Sequence, residues 1–222
     1  MQKFAATAAL SVLLDVPAGH VRLIAADRAD ATVEVRPANA GKSRDVKAAE
    51  QTEIAFADDV LRIAAPKGNQ AFGPSGAVEI TVQLPAGSRV DARGAALDLR
   101  GVGRLGEVVC EAAEGPVKLD DAASARITLQ AGDVTVGRLG GPAEISTQKG
   151  DLRIDEAVRG TVALNTTAGD ITIGAARGVS AALDAGTTYG RIHNSLKNDA
   201  GADSALTVRA TTAHGDVTAR SL

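Results

Sequence analysis

A glycine followed by alternating aliphatic residues recurs down the second half of the chain, and this repeat limits the possible folds more than any other feature. Six copies align: Gly115-Pro-Val-Lys-Leu, Gly132-Asp-Val-Thr-Val, Gly150-Asp-Leu-Arg-Ile, Gly169-Asp-Ile-Thr-Ile, Gly190-Arg-Ile-His-Asn and Gly215-Asp-Val-Thr-Ala. They are spaced by 17, 18, 19, 21 and 25 residues. Looser copies stand at Gly19, Gly76 and Gly106. A second alternating stretch precedes the glycines, at Ile127, Ile145, Val162 with Leu164, Leu183 with Ala185, and Val208 with Ala210. Strand side chains alternate between faces, so the residues two and four after each glycine point inward together. Two short strands cannot bury that face alone, but units stacked at about 4.8 Å cover one another. The pattern predicts an all-β fold, a parallel β-solenoid (β-helix), right-handed because parallel crossovers favour that hand. About seven coils fit into residues 88–222, and a less regular β region over 1–87 caps them.

Composition supports thin aliphatic layers. Three Phe, one Tyr and no Trp among 222 residues leave Val, Ile, Leu and Ala to fill the interior. A helical reading fails, because Gly or Pro interrupts nearly every window and the apolar period is two. In the first region the strand candidates are Val12 to Val16, Val21 to Ala25, Thr32 to Arg36, Val60 to Ile63 and Val78 to Leu84. Asp58-Asp59 reads as a turn, Asp45 to Glu53 as a short helix or strand, and Pro66 to Gly76 as a loop. Leu84-Pro-Ala-Gly-Ser88 marks the boundary before the regular repeats.

The net charge of -3 supplies no drive toward nucleic acid or anionic lipid, so neither is an expected partner. One Cys excludes an intrachain disulfide. The apolar stretch Phe4 to Leu14 after Lys3 imitates a secretory leader, but its alternation favours a first strand. A cytoplasmic location is expected, with export as the alternative if residues 1–18 act as a leader.

Several motifs tempt a sharper reading. Gly101-Val-Gly103-Arg-Leu-Gly106 matches the dinucleotide fingerprint, but the helix that must receive the pyrophosphate is missing, and Gly-Arg-Leu-Gly recurs at Gly137 to Gly140. A solenoid corner is expected there. Asp133, Asp151 and Asp170 hold one position in consecutive repeats, where either a divalent cation or Arg153 could relieve their repulsion; the bland reading is a Gly-Asp turn. Arg191 replaces that Asp in the next copy. Thr147, Thr166, Thr187 and Thr212 precede the repeat glycines by three and fall on the inward side, where a hydroxyl satisfies turn backbone. Cys110 takes an inward position and reads as a small buried hydrophobe. His20, His193 and His214 show no metal-site spacing. No catalytic, cofactor-binding or metal-ligating residue is therefore assigned, and no cofactor is expected.

Taken together, the Gly-Asp-Val/Ile-x-Val/Ile units, the Leu84 to Val90 junction, Asp27-Arg28 with Val33 to Pro37, and the ending His214 to Arg220 resemble the bacterial β-strand-repeat family of candidate adhesins, domain of unknown function 4097. The segments Gly178 to Asp184 and Tyr189 to Asn194 look like the actinobacterial form, and 17 Arg against 7 Lys fits a GC-rich genome. The resemblance implies a β-solenoid without established catalytic residues. The expected function is a non-enzymatic scaffold or binding module of unknown protein or glycan ligand. Its alternatives are a polysaccharide-active β-helix enzyme and an accessory protein that binds amphipathic peptides in export or envelope stress. Asn194 to Ala205 is the candidate presenting loop, and the end of the chain after Val217 is expected to expose strand edges and self-associate into a homo-oligomer.

Overall fold

A computed structural model describes residues 1–6, 8–67, 75–199 and 203–222. The fold is all-β with one short helix, and most strand pairs are parallel. The chain divides into two compact units, Met1–Pro116 and Val117–Leu222.

In the first unit the strands are β1 (Gln2–Ala5), β2 (Ser11–Asp15), β3 (Ala18–Ala26), β4 (Asp30–Pro37), β5 (Glu53–Ala57), β6 (Val60–Ala64), β7 (Val78–Pro85) and β8 (Arg89–Glu114), with helix α1 (Ser43–Glu50) between β4 and β5. All five strand candidates of this region are strands; the segment left open at 45–53 begins as helix and ends in β5. Asp58 and Asp59, both with positive φ, make the tight turn that brings β5 back antiparallel onto β6. Of the loop expected from Pro66 to Gly76, residues 68–74 lie outside the described residues. Leu84 to Ser88 joins β7 to β8 inside this unit.

Chain order is not rung order here. β2 lies parallel between β6 and the start of β8, and β3 lies parallel between β7 and the middle of β8. The N-terminal pair is thus inserted between two later coils. The far side is closed by antiparallel strands, β5 on β6 and β1 on β4, which in turn pairs with β7. The last third of β8 returns beside its first third, where Gly106 N–H donates to Ser88 O, Arg89 pairs with Glu107 and Arg93 approaches Glu111.

The second unit holds β9 (Val117–Ala131), β10 (Val134–Leu139), β11 (Ala143–Lys149), β12 (Leu152–Ala157), β13 (Gly160–Ala168), β14 (Ile171–Ala175), β15 (Ala181–Tyr189), β16 (Ile192–Ser195), β17 (Leu206–His214) and β18 (Val217–Ser221). Every pairing among them is parallel. Two columns result. One runs from the start of β9 through β10, β12, β14 and β18 to β16; the other runs from the end of β9 through β11, β13 and β17 to β15. Inward residues behave as their spacing predicts: Val134, Val136, Leu152, Ile154, Ile171 and Ile173 are all buried.

This arrangement corrects the expectation that successive repeats become successive rungs, and that the end of the chain exposes its edges. After β14 the chain passes over one level, builds β15–β16, and returns to place β17–β18 in the gap. The rung formed last in sequence has neighbours on both sides, and among the described residues β15–β16 is paired on one side only. Its core-facing residues mark it as terminal: Asn194 stands in register with buried Ala219, and Ile192 with buried Val217, yet Asn194 is polar and Ile192 is exposed.

Candidate interaction surface

Three ladders climb the second unit at its glycine corners, and each reports the same spatial order. The first is made of carboxylates. Asp133 Oδ1 accepts from Asp151 N–H at 2.9 Å, Asp151 Oδ1 from Asp170 N–H at 2.8 Å, Asp170 Oδ1 from Asp216 N–H at 2.7 Å, and Asp216 Oδ1 from Arg191 N–H at 2.8 Å. Each exposed Asp thus binds the backbone of the next rung, which is why one carboxylate per coil is tolerated at this close spacing. Arg153 turns instead to Asp155, at 2.6 Å. Among the described residues no three His, Cys, Asp or Glu converge as a metal site would require.

The second ladder is of threonines. Thr166 donates to Gly150 O at 3.1 Å, Thr212 to Gly169 O at 3.0 Å and Thr187 to Gly215 O at 3.0 Å, while Thr147 donates to Lys149 O at 3.2 Å. These hydroxyls satisfy turn carbonyls, as their inward parity predicts. The third ladder is steric. A Cβ on Gly169, whose φ is +152°, would strike the carbonyl oxygen of Gly150, and one on Gly215 would strike that of Gly169. Only glycine lets these corners nest.

Arg191 ends the carboxylate ladder. Its N–H donates to Asp216 Oδ1, but it offers no carboxylate to a further rung. The rung that carries it presents two large apolar groups to solvent, Tyr189 at 68% exposed and Ile192 at 46%, the latter matched in this unit by Leu222 just past the end of β18. One face of the Tyr189 ring stacks on His214 of the neighbouring rung, with centroids 4.9 Å apart and planes 4° from parallel. Among the described residues β15 pairs only with β17, and β16 only with β18. The adjacent connection, within the candidate loop Asn194 to Ala205, has residues 200–202 outside the described residues; elsewhere in it Lys197 O accepts from Ala181 N–H at 3.0 Å.

The remaining singled-out residues are structural. Gly101, Gly103 and Gly106 lie within β8, with strand rather than helix after them. Cys110 is buried, and burial foremost, then the Asp91 and Glu111 carboxylates, push its thiol up to about 12. His20 Nδ1 sits 3.1 Å from Asp98, and His193 is exposed in register with Thr218. Outward faces carry ion-pair ladders, such as Arg138 between Asp121 at 3.7 Å and Glu156 at 3.6 Å. Sequence reasoning missed the terminal rung. Its signals were Arg191 in the Asp position and Asn194 in the aliphatic position.

Parallel rungs, glycine corners and a shared aliphatic interior define a solenoid-like β protein. The chain belongs to the Toastrack family, DUF4097, which matches residues 11–221. No curated protein matches it. Among solved structures it is similar to a candidate cell adhesion protein from Clostridium sporogenes ATCC 15579, with TM-score 0.47 and 11% identity over 100% of this chain and 98% of that one. It is also similar to a candidate adhesin from Bacteroides fragilis NCTC 9343, with TM-score 0.47 and 12% identity over 98% and 95% of the two chains. A third, a candidate adhesin from Parabacteroides distasonis ATCC 8503, gives TM-score 0.43 and 15% identity over 100% and 95%. Among the described residues no helix is long and apolar enough to cross a membrane.

Proposed function

We propose that this protein is a non-enzymatic, adhesin-like binding module in which a right-handed stack of rungs serves as a rigid scaffold and the terminal rung β15–β16 serves as the contact surface. The observation that carries this reading is that Tyr189 and Ile192, the exposed large apolar side chains of that rung, lie on strands that among the described residues are paired on one side only. Residues 1–87 act as a cap on the coil that begins at Ser88, supported by the antiparallel pairing of β5 with β6 and of β1 with β4. A cytoplasmic location goes with this reading, its support being that Ser11–Asp15 is a strand with parallel neighbours on both sides.

The ligand is a protein or glycan surface, and the test is a comparison of wild type with Ile192→Asp. Immobilised wild type should retain a stoichiometric partner that the variant releases, and neither protein should cleave any member of a polysaccharide panel. Hydrolysis in that panel, or retention unchanged by Ile192→Asp, would contradict the reading.

A further inference from the structure

We infer that the open edge of β15 pairs antiparallel with the same strand of a second copy of this chain, about a two-fold axis at Ala185. This rests on the reading of the terminal rung as a contact surface and names its occupant.

Backbone direction sets which groups are available. Leu206 N–H donates to Ser180 O at 3.2 Å, so the alternation along the strand turns Ala182, Asp184 and Gly186 toward β17 and Leu183, Ala185 and Thr187 toward the open edge. Ala181 N–H also faces outward and is taken by Lys197 O. The pairable stretch is therefore centred on Ala185. Nothing in it guards an edge: among these residues there is no Pro, no Lys and no bulge in the register with β17. A further parallel rung of the chain's own kind is unfavourable, because Arg191 supplies no carboxylate for its corner N–H.

An antiparallel second copy meets no such deficit. With Ala185 on the axis, Leu183 exchanges both hydrogen bonds with Thr187 of the second copy, and Ala185 with its own counterpart. On the solvent face Asp184 comes opposite Gly186, which has no side chain, so no like charges oppose directly. Arg209, in register with Asp184 on β17, gives each carboxylate a cation alongside. Tyr189 falls at the end of the paired stretch, beside the Lys197 segment that covers Ala181 of the second copy. Charge pattern and backbone direction fit the same occupant.

Sedimentation velocity over the micromolar range tests this. Wild type should form a reversible dimer. Gly186→Asp should weaken it about tenfold, because two Asp–Asp pairs would then face each other across the axis; Gly186→Lys, facing Asp184 instead, should not weaken it. A Cβ on Gly186 meets nothing within 4 Å, so both variants fold. Ala185→Pro removes an outward N–H without touching the β17 pairing and should leave a folded monomer, checked by an unfolding midpoint near that of wild type. A wild-type monomer at every concentration, or a dimer indifferent to Gly186→Asp and Ala185→Pro, overturns the inference. Neither outcome touches the glycan-panel or Ile192→Asp results, so the broader reading fails or stands separately.

Discussion

At the scale of single residues, chemistry is set by where a side chain falls in the alternation. Cys110 is four residues after Gly106, on the inward side, and burial holds its thiol near 12. It should resist thiol reagents at pH 8 in the native protein and react fully in denaturant; ready native labelling would mean the rung is not closed around it. Asp30 is the opposite case, a half-buried carboxylate that Arg28, at 2.6 Å, and then Lys3, at 2.9 Å, hold down at about 2 against an ordinary 3.8. A depressed native value means that the stabilisation is complete above the ordinary value and is lost as pH falls through about 2. Urea midpoints of wild type and Asp30→Asn should therefore converge between pH 4 and pH 2, and a gap that stays constant would show the pairing to be idle. The placement of Cys110 follows from its parity in the sequence; that of Asp30 does not, because Arg28 lies in the turn before β4 and Lys3 reaches it from β1.

At the scale of the element, the corners carry the fold. Asp170→Ala removes the acceptor for Asp216 N–H and should cost about 1 kcal/mol in chemical denaturation. Asp170→Asn keeps an oxygen there and should cost less. Added Ca²⁺ should leave the melting temperature of wild type unchanged, since these carboxylates are occupied by backbone donors; a rise abolished by Asp170→Ala would restore the cation reading. Gly169→Ala should cost about 2–3 kcal/mol, because the corner cannot open to admit a Cβ without parting the rungs. The glycine and aspartate corners and the inward Val134, Ile154 and Ile171 were legible in sequence because period-two alternation is a local property. The direction of the carboxylate bonds was not, since nothing local says that each Asp reaches the next rung rather than its own turn. β1 and β5 were missed for a related reason: short, half-exposed antiparallel strands carry little apolar signal.

At the scale of the whole chain, the least legible feature is the order of the rungs. Each repeat presents the same corner to its neighbours, so local pattern cannot tell which copies touch; that is decided by long-range closure. The clue lay in the exceptions, Arg191 and Asn194, which suit a rung with nothing beyond it, whereas Asp216 and Ala219 suit an interior one. The contact surface rests on this order, because β15 is an edge only if β17 lies beneath it. Cross-linking of paired cysteines in a Cys110→Ser background reads it directly. Ala163 and Arg209 are register partners, as are Asp184 and Arg209, so each of these pairs lies about 4.8 Å apart while Ala163 and Asp184 stand two rungs, about 9.6 Å, apart. A disulfide needs Cα atoms within about 7 Å. Insertion of β17–β18 requires that Ala163→Cys/Arg209→Cys close and Ala163→Cys/Asp184→Cys stay open; the reverse result would mean that the rungs follow chain order and that the exposed edge has been misplaced.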